Sequence, residues 1–402
     1  MEQISQYDLI VIGGGCIGLS TAYHAARRGL KTLVIEKDRY FNDQGSSAGD
    51  SRQFRLQYAQ DYMAELCIAS QSFWQELDAL TEETLLGDDG SLWFGDPRLN
   101  SQEGGIDAAK ATMDALGIPY TPLTAAQIEQ QYQFKDLPPD YEGFFQADGG
   151  TINLKATEQT LYDQALNSTL VDFHELEEVS HIDSAADGVI TITTAQGQYQ
   201  AGKLAITTGP YVNHTVESLS LEVPIIIWPM SSAYFEKTQH DIQYPSWFVF
   251  QEPVDSAQFY GFPEVDWSNP GYIRVATDFP DDGIILSDPD NRPSEPSEQS
   301  LALDAQWVRD HMTGLSDEPF FTSTCLIALA QDGSKQLLLD YMPDHIANNK
   351  NIVTYTAGWA AKLTPILGDM ICQMLEADID SFTYGPYTIS RDNFAINWTI
   401  KE

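Results

Sequence analysis

The sequence is short of basic residues and of cysteine. Lys and Arg number 21 among 402 residues, against 59 Asp and Glu, so the net charge is −38. Such a surface repels phosphate backbones and anionic lipid, and we expect neither nucleic acid nor a membrane as a partner. The four cysteines, Cys16, Cys67, Cys325 and Cys372, include no C-x-x-C pair. Their scatter predicts neither a zinc site nor a disulfide framework.

Other common signatures are also missing. The seven histidines form no H-E-x-x-H group, so no metal site is predicted. No apolar run approaches the length of a membrane span. Residues 1–7 are polar and lead directly into the first predicted strand, so we expect no signal peptide. We expect a cytoplasmic protein with reduced cysteines, present as a monomer or a small homo-oligomer.

The most informative stretch is residues 7–37, YDLIVIGGGCIGLSTAYHAARRGLKTLVIEK. The apolar β-formers at residues 9–12 predict a buried parallel strand. Helical spacing follows at residues 19–28, and residues 30–35 predict a second strand. Strand, turn, helix and strand within about thirty residues are typical of a dinucleotide-binding unit.

Glycines occupy the turn between the first strand and the helix. Gly13 permits the tight turn, Gly15 lets the backbone approach a pyrophosphate, and Gly18 lets helix and strand pack closely. The positive end of the helix dipole then faces the phosphates. Glu36 ends the second strand, where a carboxylate accepts hydrogen bonds from a ribose. These residues predict an adenine dinucleotide and leave open whether it is FAD or NAD.

The order of the remaining elements predicts two interleaved domains. A chain of this length exceeds the size at which one core stops growing. Aromatic strand segments in the middle predict a mostly antiparallel sheet, and a strand–loop–helix unit returns near the end. We therefore expect an α/β (mixed α+β) fold, with a Rossmann-like domain interleaved with an antiparallel-sheet domain. The predicted dinucleotide-binding domain comprises residues 1–87, 152–222 and 325–402, and the predicted substrate (catalytic) domain comprises residues 88–151 and 223–324.

Four sequence stretches, spread along most of the chain, occur in the same order as the motifs of a known protein family. They are YDLIVIGGGCIGLSTA with Glu36, GSSAGDSRQFRLQYAQDY at residues 45–62, KLAITTGPYV at residues 203–212, and STCLIALAQDG through TAGWAAKLTPILGDM at residues 323–370. Together they resemble the monomeric sarcosine oxidase and N-methyltryptophan oxidase group of FAD-dependent amine oxidases, within the D-amino-acid-oxidase-like superfamily. The resemblance implies that the dinucleotide is FAD.

Cys325 stands where the resembling family attaches FAD covalently. A thiolate there adds to the flavin 8α carbon, so the resemblance implies a thioether through Cys325. The alternative is a buried structural cysteine. Cys16 lies inside the phosphate turn, and Cys67 and Cys372 fall on helical patterns, so structural roles suit all three.

The resemblance also gives roles to two arginines and a lysine. Arg52 would lie close to the flavin, and Arg55 would clamp the substrate carboxylate, a bidentate task that suits guanidinium. Lys362 would hold the same carboxylate. Its loop is shorter than the family's, which leaves an ordinary exposed lysine as the alternative. Thr364 and Pro365 follow it and predict the N-cap and first residue of a helix.

Arg274 stands where oxidases of the resembling group carry a lysine that speeds the reaction with oxygen. Arginine keeps the charge but is bulkier and does not donate a proton usefully. Three interpretations stay open: Arg274 replaces that lysine, another acceptor takes the electrons, or Arg274 is a core-edge residue paired with a carboxylate.

The full set of expected site residues follows from the resemblance. Catalytic roles are expected of Arg52, Arg55, Arg274 and Lys362, and substrate binding of Arg55, Tyr260 and Lys362. Tyr260 belongs to the aromatic middle segments, which either line a pocket or pack the core. The expected cofactor-binding residues are Ile12, Gly13, Gly15, Cys16, Ile17, Gly18, Glu36, Lys37, Ser47, Asp50, Ser51, Arg52, Val179, Thr208, Gly209, Cys325, Gly358, Lys362, Leu363 and Thr364.

The reaction implied is FAD-dependent oxidation of the C–N bond of an amino acid or an N-methyl (secondary) amino acid. A hydride would pass to flavin N5, the imine would hydrolyse, and O2 would reoxidise the flavin and give H2O2. The alternatives are a primary L-amino-acid oxidase and a flavin dehydrogenase that uses a non-oxygen acceptor. A non-catalytic flavoprotein is disfavoured because it leaves the arginine pair and the late cysteine without a purpose.

Overall fold

The computed structural model describes residues 5–101, 104–254, 256–333 and 335–401. The first four residues of the polar start, and the predicted domain limits at 1 and 402, lie outside these ranges. The α-helices are α1 (Cys16–Arg27), α2 (Asp61–Asp78), α3 (Ile106–Leu116), α4 (Ala125–Tyr132), α5 (Leu154–Asn167), α6 (Val212–Val216), α7 (Glu298–His311) and α8 (Thr364–Glu376). The strands are β1 (Ser5–Ile12), β2 (Thr32–Ile35), β3 (Ser51–Phe54), β4 (Ser91–Gly95), β5 (Thr121–Thr124), β6 (Glu142–Gln146), β7 (Gly150–Asn153), β8 (Val171–His174), β9 (Val179–Ser184), β10 (Ile190–Thr194), β11 (Gln198–Ile206), β12 (Leu221–Glu222), β13 (Ile225–Glu236), β14 (Ser246–Phe250), β15 (Phe259–Phe262), β16 (Tyr272–Thr277), β17 (Phe321–Ala330), β18 (Leu338–Tyr341), β19 (Ile352–Thr356), β20 (Ser381–Tyr384), β21 (Tyr387–Ser390) and β22 (Thr399–Ile400).

The first large sheet contains the βαβ unit predicted from the glycine motif. Its order is β18-β19-β11-β1-β2-β8, with β10 paired to β11 and β9 paired to β10. Strands β1, β2, β8, β11 and β19 run parallel. Alternate residues of β1 enter two cores: Leu9 and Val11 pack with α1 and α8, and Ile10 and Ile12 pack with β9 and β10. Burial on both faces explains the continuous apolar run in the sequence.

The second large sheet has the order β17-β13-β16-β15-β14-β4-β6-β5. All its pairs are antiparallel except β4 with β14. Residues 225–236, IIIWPMSSAYFE, contain two of the aromatic segments of the middle region, and they form one strand, β13. Proline has no N–H to donate to a sheet. Pro229 is tolerated in β13 because it lies in the part of the strand that pairs with β17 alone. The mixed α/β fold with a large antiparallel sheet is confirmed, while the domain limits given above stay a prediction.

A short two-stranded sheet stands apart from both. Strand β3 pairs antiparallel with β7, with Ser51 opposite Asn153 and Phe54 opposite Gly150. The mainly polar sequence Ser-Arg-Gln-Phe has no pattern typical of a strand, so β3 cannot be predicted from it. Its position matters because β3 carries Arg52 and Gln53 and ends just before Arg55.

No helix in the described ranges is long and apolar enough to cross a membrane.

Candidate active site

A deep cleft opens at the carboxyl edge of the parallel strands and continues to the second sheet. One end is lined by the glycine turn, Glu36 and residues 207–209, and the other by Arg55, Tyr260 and Lys362. The strands β1, β2, β11 and β19 all end at this edge, which is where ligands bind in open parallel sheets.

The glycine turn brings backbone rather than side chains to the cleft. Gly13 adopts φ +98°, a left-handed conformation that favours glycine. A Cβ on Gly18 would lie 1.9 Å from the carbonyl oxygen of Gly13, so helix and strand can approach only without it. Gly15 is the N-cap of α1 and has no side chain to cover the helix end. This bare N-terminus fits the pyrophosphate of a dinucleotide.

Glu36 closes the turn from the end of β2. Its Oε2 accepts a hydrogen bond from Gly14 N at 2.7 Å and its Oε1 accepts one from Asp38 N at 2.9 Å. Burial raises the pKa of this carboxyl, against the effect of the two backbone bonds. Each oxygen has a second lone pair, so Glu36 can still accept from a ribose hydroxyl. Beside it, the Lys37 ammonium stands 4.2 Å from the centre of the Tyr211 ring.

Arg52 holds the segment that follows β2. Its guanidinium donates to the carbonyl oxygens of Ser46, Ala48 and Ser51 at 2.8, 2.5 and 2.8 Å. It also lines the cleft. The observed bonds are those of a residue that shapes a loop, and this loop is one wall of the cleft.

Glu158 is a cleft residue that no sequence pattern singles out. It lies on α5, is 3% exposed and lines the cleft. Burial raises the pKa of its carboxyl to about 8, and a hydrogen bond with Ser47 acts in the opposite direction. Ser47 also accepts from Cys16 N at 3.1 Å, at the start of α1. A neutral acid here is compatible with a phosphate group in the same cleft, whereas a carboxylate would repel it.

Two buried cations meet at the opposite end. Arg55 is 2% exposed, and its guanidinium stands 4.6 Å from the ring of Tyr58 and 4.8 Å from that of Trp93. Lys362 is 4% exposed, so the alternative of an exposed lysine is wrong. Its ammonium stands 5.6 Å from the same Tyr58 ring and donates to Trp359 O at 2.6 Å. Both side chains line the cleft, which suits recognition of one carboxylate by two positive charges.

The turn before α8 explains why Lys362 is buried. Lys362 lies in the 3-10 turn Ala361–Leu363, and its carbonyl oxygen accepts from Trp74 Nε1 at 2.8 Å. The predicted N-cap is wrong by one residue: Leu363 is the N-cap, and Thr364 is already helical at φ −45° and ψ −53°. The 3-10 turn runs directly into the helix and leaves no extended residue at Thr364.

Arg274 extends from β16 into the cleft, and its guanidinium is hydrogen-bonded to residues of two other strands. It donates to Ser232 Oγ at 3.0 and 2.8 Å, to Ser51 O at 2.9 Å and to Ser51 Oγ at 3.1 Å. Among the residues that the structure describes, it forms an ion pair with no carboxylate, so the core-edge interpretation is wrong. Its guanidinium links the second sheet to β3.

Cys325 and Tyr260 line the cleft from the second sheet. Cys325 lies opposite Met230 in the pair of β17 with β13 and is partly exposed. Cys67 and Cys372 are buried in the first core, as expected of structural cysteines.

Most of the predicted site residues share this one cleft. It is lined by Ile12, Gly13, Gly15, Cys16, Ile17, Glu36, Lys37, Ser47, Arg52, Arg55, Val179, Thr208, Gly209, Tyr260, Arg274, Cys325, Gly358 and Lys362. Five other predicted residues do not line the cleft: Gly18, Asp50, Ser51, Leu363 and Thr364.

Asp50 is one of the five because it turns outward. It pairs with Lys155 at 2.7 Å and accepts from Ser268 Oγ at 2.6 Å. Burial alone would raise the pKa of Asp50, but Lys155 and Ser268 hold it below its usual range.

The chain matches the protein family described as FAD dependent oxidoreductase over residues 8–374. Among solved structures, it is similar to the open form of NikD, described as an unusual amino acid oxidase essential for nikkomycin biosynthesis. The TM-score is 0.89 and the identity 33%, and the match covers 99% of this chain and 100% of that one.

Two relatives with known names show the same likeness. A protein of Dictyostelium discoideum named for a bifunctional amine oxidase is 32% identical over 411 residues; the match covers 97% of this chain but only 37% of that protein. Monomeric sarcosine oxidase of Bacillus sp. (strain NS-129) is 23% identical over 401 residues, with 96% of this chain and 97% of the relative covered.

Proposed function

Since the chain belongs to the FAD-dependent oxidoreductases, among the amine and amino-acid oxidases related to sarcosine oxidase, we propose that it oxidises the C–N bond of an amino acid or a secondary (N-methyl) amino acid. The family resemblance carried by the four sequence stretches is thereby confirmed. The observation that carries the substrate proposal is the pair of buried cations, Arg55 and Lys362, on the ring of Tyr58.

The residues at the first end would hold the cofactor. The bare start of α1 would bind the pyrophosphate and Glu36 the ribose, with Lys37, Val179, Thr208 and Gly209 around them. FAD held there would supply the acceptor for a hydride equivalent; the imine product would hydrolyse in water, and O2 would serve as the final electron acceptor and give H2O2.

The residues at the second end would hold the substrate. Arg55 and Lys362 bind the carboxylate, and the aromatic walls around them exclude water, which strengthens both attractions. With the carboxylate anchored, the amine and its neighbouring carbon have little freedom to turn. Such positioning accounts for a large part of the rate in hydride transfer.

We also propose that FAD is held covalently through a thioether between Cys325 Sγ and the flavin 8α carbon. Its formation would replace one 8α C–H bond and the S–H bond by an S–C bond; the two electrons released would reduce the flavin itself, and O2 would take them up in the same reoxidation as in turnover. The position of Cys325 in the cleft wall supports this. Acid precipitation of the purified protein tests it: a yellow pellet is expected, and Cys325→Ser should release the colour to the supernatant. A colourless pellet from the unchanged protein would contradict the link.

A screen of secondary and primary amino acids tests the reaction itself. Bleaching of the flavin under nitrogen, followed by peroxide formation in air, is the expected result. The proposal fails if no amino acid bleaches the flavin. Bleaching by primary amino acids alone would favour an L-amino-acid oxidase.

One observation favours a second candidate, a flavin dehydrogenase with a non-oxygen acceptor. The guanidinium of Arg274 is already bonded to Ser51 and Ser232, so it is poorly placed to serve a new anion. Flavin that bleaches under nitrogen but gives no peroxide in air would identify this activity.

A further inference from the structure

Gln53 stands beside the proposed carboxylate clamp and has no role in it so far. Gln53 and Arg55 both line the cleft and are two residues apart at the end of β3. Gln53 lies in β3 and Arg55 directly follows the strand, so the amide and the guanidinium belong to one stretch of the cleft lining.

The hydrogen bonds around Gln53 determine which way its amide points. Its Nε2 donates to Ser91 Oγ at 3.0 Å and to Ser246 Oγ at 3.2 Å. Ser246 Oγ donates its single proton to Gly90 O at 2.7 Å. It can therefore only accept from Gln53, and the atom that faces it must be the NH2 group. The amide oxygen consequently points away from both serines.

That oxygen has acceptor capacity to spare. Among the described residues, none donates to Gln53 Oε1, and the side chain is partly exposed within the cleft. An anchored amide whose NH2 is fully used presents a fixed acceptor to whatever enters.

We propose that Gln53 Oε1 accepts the N–H of the substrate amine and so determines specificity for amines that carry a hydrogen. This rests on the proposed function, because the carboxylate must lie on Arg55 for the amine to reach Gln53. A neutral amide accepts from an uncharged amine without the strong preference for ammonium that a carboxylate would show. The site would therefore accept primary and secondary amino acids and discriminate against tertiary ones.

Two ligands of equal shape test the proposal on the FAD-loaded enzyme. Pyrrole-2-carboxylate and furan-2-carboxylate share the carboxylate and the five-membered ring and differ by N–H against O. Calorimetric titration should show the pyrrole binding about tenfold more tightly, the effect of one hydrogen bond to an otherwise unpaired acceptor. In Gln53→Leu the ratio should fall to about one, while both ligands still bind. Equal affinities in the unchanged enzyme, or a preference that survives Gln53→Leu, overturn the proposal.

Further variants separate positioning from folding. Gln57 also donates to Ser91 Oγ, at 2.5 Å, but is fully buried and does not line the cleft, so Gln57→Leu should keep the preference. Gln53→Glu keeps an acceptor of the same length. It should retain the preference for pyrrole and move the pH profile of kcat to higher pH, because a carboxylate raises the pKa of the bound amine and the kcat profile reports groups in the enzyme–substrate complex. An unmoved profile would contradict a contact between Gln53 and the amine.

Arg55→Met distinguishes this inference from the proposed function. It should weaken both ligands alike. If both carboxylates bind Arg55→Met as well as the unchanged enzyme, the clamp is wrong and the Gln53 assignment falls with it. If the clamp holds and the ligands bind equally, only the Gln53 assignment is wrong.

Discussion

The two ends of the cleft are built in different ways. The dinucleotide end is made mainly by one continuous stretch, residues 7–37, with residues 207–209 beside it, and much of its surface is backbone and space that no side chain occupies. The substrate end is made by side chains far apart in the chain, among them Arg55, Tyr260, Cys325 and Lys362. At the first end, an added side-chain atom should disrupt cofactor binding. At the second end, a change of charge or of hydrogen-bonding groups should alter the reaction of the substrate. Four substitutions test this difference.

The dinucleotide end should not tolerate a single methyl group. Gly18→Ala puts a Cβ 1.9 Å from Gly13 O, and neither the backbone of α1 at residue 18 nor that of the turn at Gly13 can move away. We expect loss of bound FAD and a destabilisation of several kcal/mol, on the order of 3–5. Flavin absorbance per protein and urea unfolding measure both. Gly202→Ala is the control, since its nearest neighbouring atom lies 4.0 Å away. Normal FAD content in Gly18→Ala would refute this account of the turn.

The substrate end should lose activity without losing the cofactor. Arg55→Lys keeps the charge but gives up the planar, bidentate donor, so kcat/KM should fall about 10²- to 10³-fold. FAD content should stay normal, because Arg55 lies at the far end from the glycine turn. Arg98→Lys is the matched control: Arg98 is exposed, and within the described part of the chain its ion pair is with Asp96. A parallel loss of FAD in Arg55→Lys would show that the two ends are not independent.

The pH dependence of stability tests the protonation state of Glu158 in the cleft wall. Its pKa is about 8 in the fold and near 4.5 when unfolded, so its contribution to stability is complete below pH 4.5 and is lost as pH rises through 8. Glu158→Gln keeps the neutral form at every pH. The variant should match the unchanged protein at pH 4.5 and exceed it by about 2–4 kcal/mol at pH 9. Urea unfolding at both pH values measures this, and a constant difference would mean that Glu158 is ionised in the fold.

Arg274 should give the smallest effect. In Arg274→Lys a compact ammonium replaces a guanidinium that is bonded to two serines, and more of its charge is then available to oxygen. We expect reoxidation of the reduced flavin in air to quicken about two- to tenfold. Stopped-flow mixing of reduced enzyme with aerated buffer measures the rate. A slower reaction would favour arginine as an adapted replacement for lysine.

Local features of the fold could be predicted from the sequence. The glycine turn depends on neighbours within a few residues. The start of α4 does too: the sequence predicts Thr124 as an N-cap before the helical pattern at residues 125–131, and Thr124 and Gln127 form a capping box there. A helical pattern covers residues 298–312 of the sequence, and helix α7 runs from Glu298 to His311.

Long-range features of the site could not be predicted. Lys362 is buried because Trp74 and Ser70 hold its carbonyl oxygen from residues nearly three hundred positions earlier. The serine partners of Arg274 come from two other strands, and β3 has a polar sequence whose strand form depends on β7. No local pattern records such partners, so the roles of individual side chains rested on the family resemblance.

The interleaving of the first sheet has a consequence for synthesis on the ribosome. β11 follows β1 and β2 in the chain, but its segment Leu204 to Ile206 pairs on the other side with β19, which starts at Ile352. At about 5–20 residues per second, the intervening chain takes on the order of ten seconds to emerge. During that time an apolar strand edge has no partner, and pairing with another nascent chain competes with folding. FAD can find a complete cleft only after that edge has closed, so cofactor loading must follow the synthesis of β19 and of the cleft residues 357–362 that come after it.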